Sequence, residues 1–76
     1  MNVNEENTKL LNKIINMCDG DYVYLSKELN VSYYRIKYWI RNNKISDKGL
    51  YIISNNQKYG KLVSAKLKEY IDVKCG

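Results

Sequence analysis

The chain has 76 residues, a mass of 9.0 kDa and a net charge of +5. That length gives one small domain, with no space for a second domain or a large enclosed substrate cavity. Histidine is absent, which removes the commonest general base and the commonest metal ligand, so no enzyme activity, cofactor or metal is expected.

No apolar run approaches the roughly 18 residues a membrane span needs. The polar, acidic N-terminus (Asn2, Asn4, Glu5, Glu6) is unlike a secretory signal. The two cysteines, Cys18 and Cys75, are too few for a disulfide framework or a structural zinc site. They read as reduced thiols of a cytoplasmic protein, Cys18 in the core and Cys75 in a tail. The charge is uneven. Residues 1–30 carry three basic against five acidic side chains, and residues 31–76 carry ten against three. A basic C-terminal portion suits a polyanionic partner. Eleven lysines, ten asparagines and no proline are also what AT-rich codons supply, so placement of charge matters more than its amount.

The spacing of Leu10, Leu11, Ile14, Ile15, Met17 and Cys18 predicts a first helix over 5–18, capped by Asn4 and stopped by Asp19-Gly20. Asp21 caps a second helix running to about Leu29, with Tyr22, Leu25 and Leu29 on one face. Asn30 tolerates the left-handed turn that must follow. Ser32 caps a third helix over 33–42, with Ile36, Trp39 and Ile40 inward.

The segment 44–54 admits two readings. Asp47-Lys48-Gly49 between β-prone runs fits a short hairpin with Gly49 at positive φ. The competing reading is a short helix capped by Ser46. A mid-helix glycine costs about 1 kcal/mol relative to alanine, which favours the hairpin. Asn55-Asn56 is a loop or cap. Tyr59, Leu62, Val63, Leu67, Tyr70 and Ile71 then predict an amphipathic helix over 57–71, followed by a frayed tail over 72–76.

Residues 21–42 place Leu25, Leu29, Val31, Ile36 and Trp39 where two short helices crossing at a tight turn need apolar contacts. Ser26 is small where the helices cross, and Asn30 occupies the turn. This pattern resembles the helix-turn-helix of bacterial and phage DNA-binding regulators, which usually carry alanine at the Ser26 position and glycine at the Asn30 position. With 44–54 as a wing, the whole chain is similar to a winged helix-turn-helix: mainly α with a small β-hairpin, a three-helix core plus a C-terminal helix, in one domain over 1–76. The MerR/excisionase group and the all-α Cro-like repressors are alternative subfamilies.

With Ile36 inward, the outward stripe of the third helix is Tyr34, Lys37, Tyr38 and Arg41, flanked by Arg35 and Tyr33. No acid lies between Ser32 and Ser46. The resemblance makes this the recognition helix in the major groove. Arg41 or Lys37 would donate to guanine. The tyrosines would touch thymine methyls or phosphates, and the Ser32 end would meet a phosphate. Lys44, Lys48 and Lys58 would decorate the wing. The plainer reading of the stripe is a solvated face, or one packed on a second subunit.

A homodimer is expected through Leu62, Val63, Leu67, Tyr70 and Ile71, unless that stripe closes the chain's own core. The function implied is a sequence-specific double-stranded DNA-binding protein, a small transcriptional regulator or repressor of a phage or other mobile element. Alternative roles are an architectural DNA-binding factor, such as an excisionase or plasmid-partition adaptor, and a winged-helix protein-interaction module or inhibitor. No small-molecule substrate is expected.

Overall fold

Residues 2–75 are described by a computed structural model. Its helices begin where side chains can satisfy free backbone N–H groups. Helix α1 (Val3–Met17) starts at Asn2, whose side-chain oxygen accepts from Glu5 N–H at 2.8 Å; Asn4 lies inside it. Asp21 caps α2 (Tyr22–Leu29) through Tyr24 N–H at 3.0 Å, and Ser32 caps α3 (Tyr33–Asn42) through Arg35 N–H at 3.1 Å. The first three helices end through left-handed residues, Asp19 after α1, Asn30 after α2 and Asn43 after α3. Each lets the next N–H turn back onto the closing helix: Gly20 to Ile15, Val31 to Ser26 and Lys44 to Trp39.

The hairpin expected over 44–54 is absent, and no strand occurs among the described residues. The described residues form helices and no sheet, so the winged architecture does not hold. Asp47–Ser54 forms a helix, α4. Two causes outweigh the glycine penalty. Ser46 Oγ accepts from Gly49 N–H at 3.1 Å, capping the helix. Gly49 also has no side chain where the Trp39 indole closes in. A Cβ there would run into Trp39 Cζ2 and stand 2.9 Å from Cε2 and 2.8 Å from Ile45 Cγ2. The glycine serves close approach, and its φ is not positive. The buried set Gly49, Leu50 and Ile53, with Tyr51 exposed, has helical period; a strand would alternate.

The helix expected over 57–71 is broken as well. Asn56 Oδ1 accepts from Lys58 and Tyr59 N–H groups, making a turn. A 3-10 turn over Gly60–Leu62 follows, held close to α4: a Cβ on Gly60 would lie 2.7 Å from the Ser54 carbonyl oxygen. Ser64 then caps a new helix, α5 (Ala65–Cys75), through Leu67 N–H at 3.2 Å. Positions 72–75, expected to fray, are helical, and Cys75 is exposed on α5; position 76 lies outside the described residues.

The core joins all of these segments: Leu10, Leu11, Ile14 and Cys18 of the first helix and its end, Leu25 and Leu29, Ile36 and Trp39, then Ile45, Leu50, Ile53, Tyr59, Val63, Leu67 and Ile71. Helix α5 packs on both α4 and α1, and α2 packs on α3. One buried polar side chain sits among them. Asn7 of α1 donates from Nδ2 to the Ile45 carbonyl at 2.9 Å and accepts the Ile45 N–H on Oδ1 at 2.8 Å. Beside it, Thr8 Oγ1 donates to the Asn43 carbonyl at 3.0 Å.

A second brace holds α2. Glu28 accepts from Lys58 Nζ at 3.0 Å and from the Tyr59 hydroxyl, and its carbonyl accepts from Asn56 Nδ2 at 3.2 Å. Burial opposes the Glu28 charge, but the hydrogen bonds from Tyr59, Lys58 and Tyr24 outweigh it and hold its pKa below the ordinary value. Burial, together with the bond to Glu28, pushes Tyr59 up to about 12.

Two outcomes follow from this packing. Gly49→Ala will destabilise the chain despite alanine's better helix propensity, because the new Cβ must displace a packed indole; overpacking of this kind costs about 1–3 kcal/mol. Asn7→Ala will cost about 1–3 kcal/mol, since it orphans the buried Ile45 N–H and C=O. Urea unfolding followed by Trp39 fluorescence measures both. The pH dependence has two limbs. The Glu28 contribution is complete above the ordinary carboxylate pKa and is lost as pH falls through its lower folded value. The Tyr59 contribution is complete below pH 10.0 and is lost as pH rises through about 12. Glu28→Gln will flatten the acid limb of the stability profile.

Candidate nucleic-acid interface

Burial of Ile36 and Trp39 fixes the rotation of α3. Tyr34, Lys37, Tyr38 and Arg41 therefore share the opposite face, and all are exposed, Tyr34 at 79% and Tyr38 at 58%. Arg35 is exposed beside them. Tyr33, at the first turn, meets Tyr34 edge to face with ring centroids 5.8 Å apart. Lys37 Nζ stands over the Tyr33 ring, 5.4 Å from its centroid. Tyr33 thus braces both Tyr34 and Lys37.

The turn into α4 brings a second element alongside. Ser32, Tyr34, Arg35, Tyr38, Ser46 and Lys48 line one groove between the first turns of α3 and α4, completed by the edge of Trp39. Lys48 is therefore in the first turn of a helix rather than on a wing. Lys44, in the α3–α4 link, lines an adjoining groove with Tyr38, Asn42, Ser46 and Asp47. Both helix starts bring the positive ends of their dipoles to the main groove, beside Arg35 and Lys48. Asp47, in the lining of the adjoining groove, bonds to α5, where its Oδ1 accepts the Tyr70 hydroxyl at 2.7 Å. That bond raises the Tyr70 pKa above its ordinary value.

The structure brings Ser32, Tyr34, Arg35, Tyr38 and Lys48 to one groove. Arg41 stands at the far end of the same α3 face, and Lys37 on that face is engaged with Tyr33. Lys58, expected on the wing flank, is instead paired with Glu28 across the fold. Ser46 belongs to the groove although its place in the sequence suggests only a possible cap; its role as a lining residue depends on the α3–α4 turn. No group of three or more metal-ligating side chains occurs among the described residues, and no helix there is long and apolar enough to cross a membrane.

The stripe expected to form a dimer seam is largely spent inside the chain. Val63, Leu67 and Ile71 are buried in the core, where α5 packs on α1 and α4, and Leu62 and Tyr70 are half-buried. Comparison of the chain with models of protein families, with curated proteins and with solved structures finds no match.

Leu67→Asp will therefore unfold the chain rather than separate two folded copies. Loss of a buried leucine alone removes about 2–5 kcal/mol from a total that is typically about 5–15 kcal/mol. Circular dichroism on the variant reads this directly: a folded, monomeric variant would place Leu67 at a surface.

Proposed function

We propose that this chain is a sequence-specific double-stranded DNA-binding protein, a small regulator that acts by occupying or positioning at a promoter. In this reading α2 and α3 work as a helix-turn-helix, and α3 enters the major groove. The carrying observation is the exposed α3 face of Tyr34, Lys37, Tyr38 and Arg41, joined across a groove by Arg35 and Lys48, with no acid from Ser32 to Ser46. A helix face kept only for solubility has no need to concentrate cations and large aromatic rings and to exclude acids. Two further features support the reading. The link between α2 and α3 is short, with Asn30 in the left-handed region, and two helix starts suited to phosphate border the groove.

The roles divide by position. Arg41, projecting from the outer face, donates to base edges. Arg35, Lys44 and Lys48, at the groove walls, meet phosphates together with the backbone N–H groups at the Ser32 and Ser46 helix starts.

Fluorescence anisotropy with labelled duplex DNA tests the proposal. Log affinity is expected to fall linearly with log salt, with a slope of about −0.9 for each phosphate neutralised. Lys48→Ala will weaken binding to all sequences alike and reduce the slope by about 1. Arg41→Ala will cost about 1–3 kcal/mol on a selected site and relax its sequence preference. Absence of binding at low ionic strength, or an affinity indifferent to salt, overturns the proposal.

A further inference from the structure

We propose that α3 selects thymine through its tyrosines: the rings of Tyr34 and Tyr38 pack on thymine 5-methyl groups in the major groove, beside a guanine held by Arg41. The inference rests on the duplex-DNA reading above and specifies what that site reads.

Each base pair shows the major groove a set of donors and acceptors, and thymine alone among the four bases adds an apolar group, its methyl. The outward face of α3 is matched to that difference. Its exposed aromatic side chains include Tyr34 at 79% and Tyr38 at 58%, one helical turn apart and so on the same side. A phenol ring offers apolar surface and a single hydroxyl, and cannot form the paired donor and acceptor contact that identifies adenine. Asparagine and glutamine make that contact, and neither occurs in the stripe Tyr34, Lys37, Tyr38, Arg41. The nearest candidate, Asn42, turns its amide back on its own helix, donating to the Tyr38 carbonyl at 2.8 Å.

The cations also divide. Lys37 is held over the Tyr33 ring, while Arg41, in the last turn, is exposed with a fork suited to guanine O6 and N7. The Tyr34 ring is steadied by its edge contact with Tyr33. A braced ring loses less side-chain freedom when it meets a methyl group.

The alternative use of these tyrosines is a hydroxyl bond to phosphate, which carries no sequence information. The two uses separate experimentally. The chain first selects its site from a random duplex pool. The enriched duplex is then prepared with thymine and with uracil, which lacks only the methyl. Wild type is expected to enrich thymine within reach of guanine, and to bind the uracil duplex about fourfold more weakly for each contacted methyl removed. Tyr34→Ala and Tyr38→Ala, at exposed positions, will each stay folded and shrink the thymine-to-uracil difference. Tyr34→Phe and Tyr38→Phe, which keep the ring, will retain it. Equal affinity of wild type for the two duplexes, an enriched site without thymine, or loss of the difference in the phenylalanine variants overturns this inference and leaves the DNA reading standing. Absence of any duplex binding overturns both.

Discussion

The buried amide of Asn7 ties together parts of the fold that share no local sequence. Its two bonds take both the N–H and the C=O of Ile45, a residue whose backbone has no helical partner because it lies between α3 and α4. Without that amide, the link would have to bury two unsatisfied polar groups, each a costly desolvation. Because Ile45 is itself fully buried, its side chain and backbone are anchored at once. One end of α3 and the start of α4 are thereby set against α1, and the groove between them inherits a fixed shape.

Trp39 and Gly49 set the remaining dimension of that groove. The missing side chain at Gly49 lets α4 lie directly on the indole, so the first turns of α3 and α4 come near enough for Arg35 and Lys48 to share one surface. The Glu28, Lys58 and Tyr59 brace does the corresponding work on the other side of α2. The proposed reading helix is thus supported by a packed and hydrogen-bonded frame, as accurate positioning of side chains requires.

What the sequence discloses follows the range of the interactions involved. The caps at Asp21 and Ser32, the left-handed Asn30 and the apolar faces of α1 to α3 depend on neighbours within a turn or two, and they are legible. The outward stripe of α3 is legible for the same reason, being the complement of Ile36 and Trp39. Gly49 is misleading because the cause of its presence, the Trp39 ring, lies ten positions earlier and acts only once the chain has folded. The continuous apolar spacing from Tyr59 to Ile71 conceals a turn, a 3-10 segment and a new cap, since each happens to bury residues at helical intervals. Asn7 gives no signal, because a single asparagine in a helix reads as solvated until its partner, 38 residues away, is known. Ser46 enters the candidate site by that same closure.

The pairing of α1 with α5 has a kinetic side. Helices α1 to α3 carry their own stop signals at Asp19, Asn30 and Asn43, so their boundaries are encoded before tertiary contacts form. The apolar face of α1, however, is covered largely by α5 and by the α3–α4 link. During synthesis that face emerges before its partner and must wait for it. Pairing α1 with α5 closes the segment between them into a long loop, whose entropic cost must be met before its contacts form. Until then, Leu10, Leu11 and Ile14 remain open to any other apolar surface they meet, so the segment most at risk of misassociation lies on a different helix from the proposed recognition face.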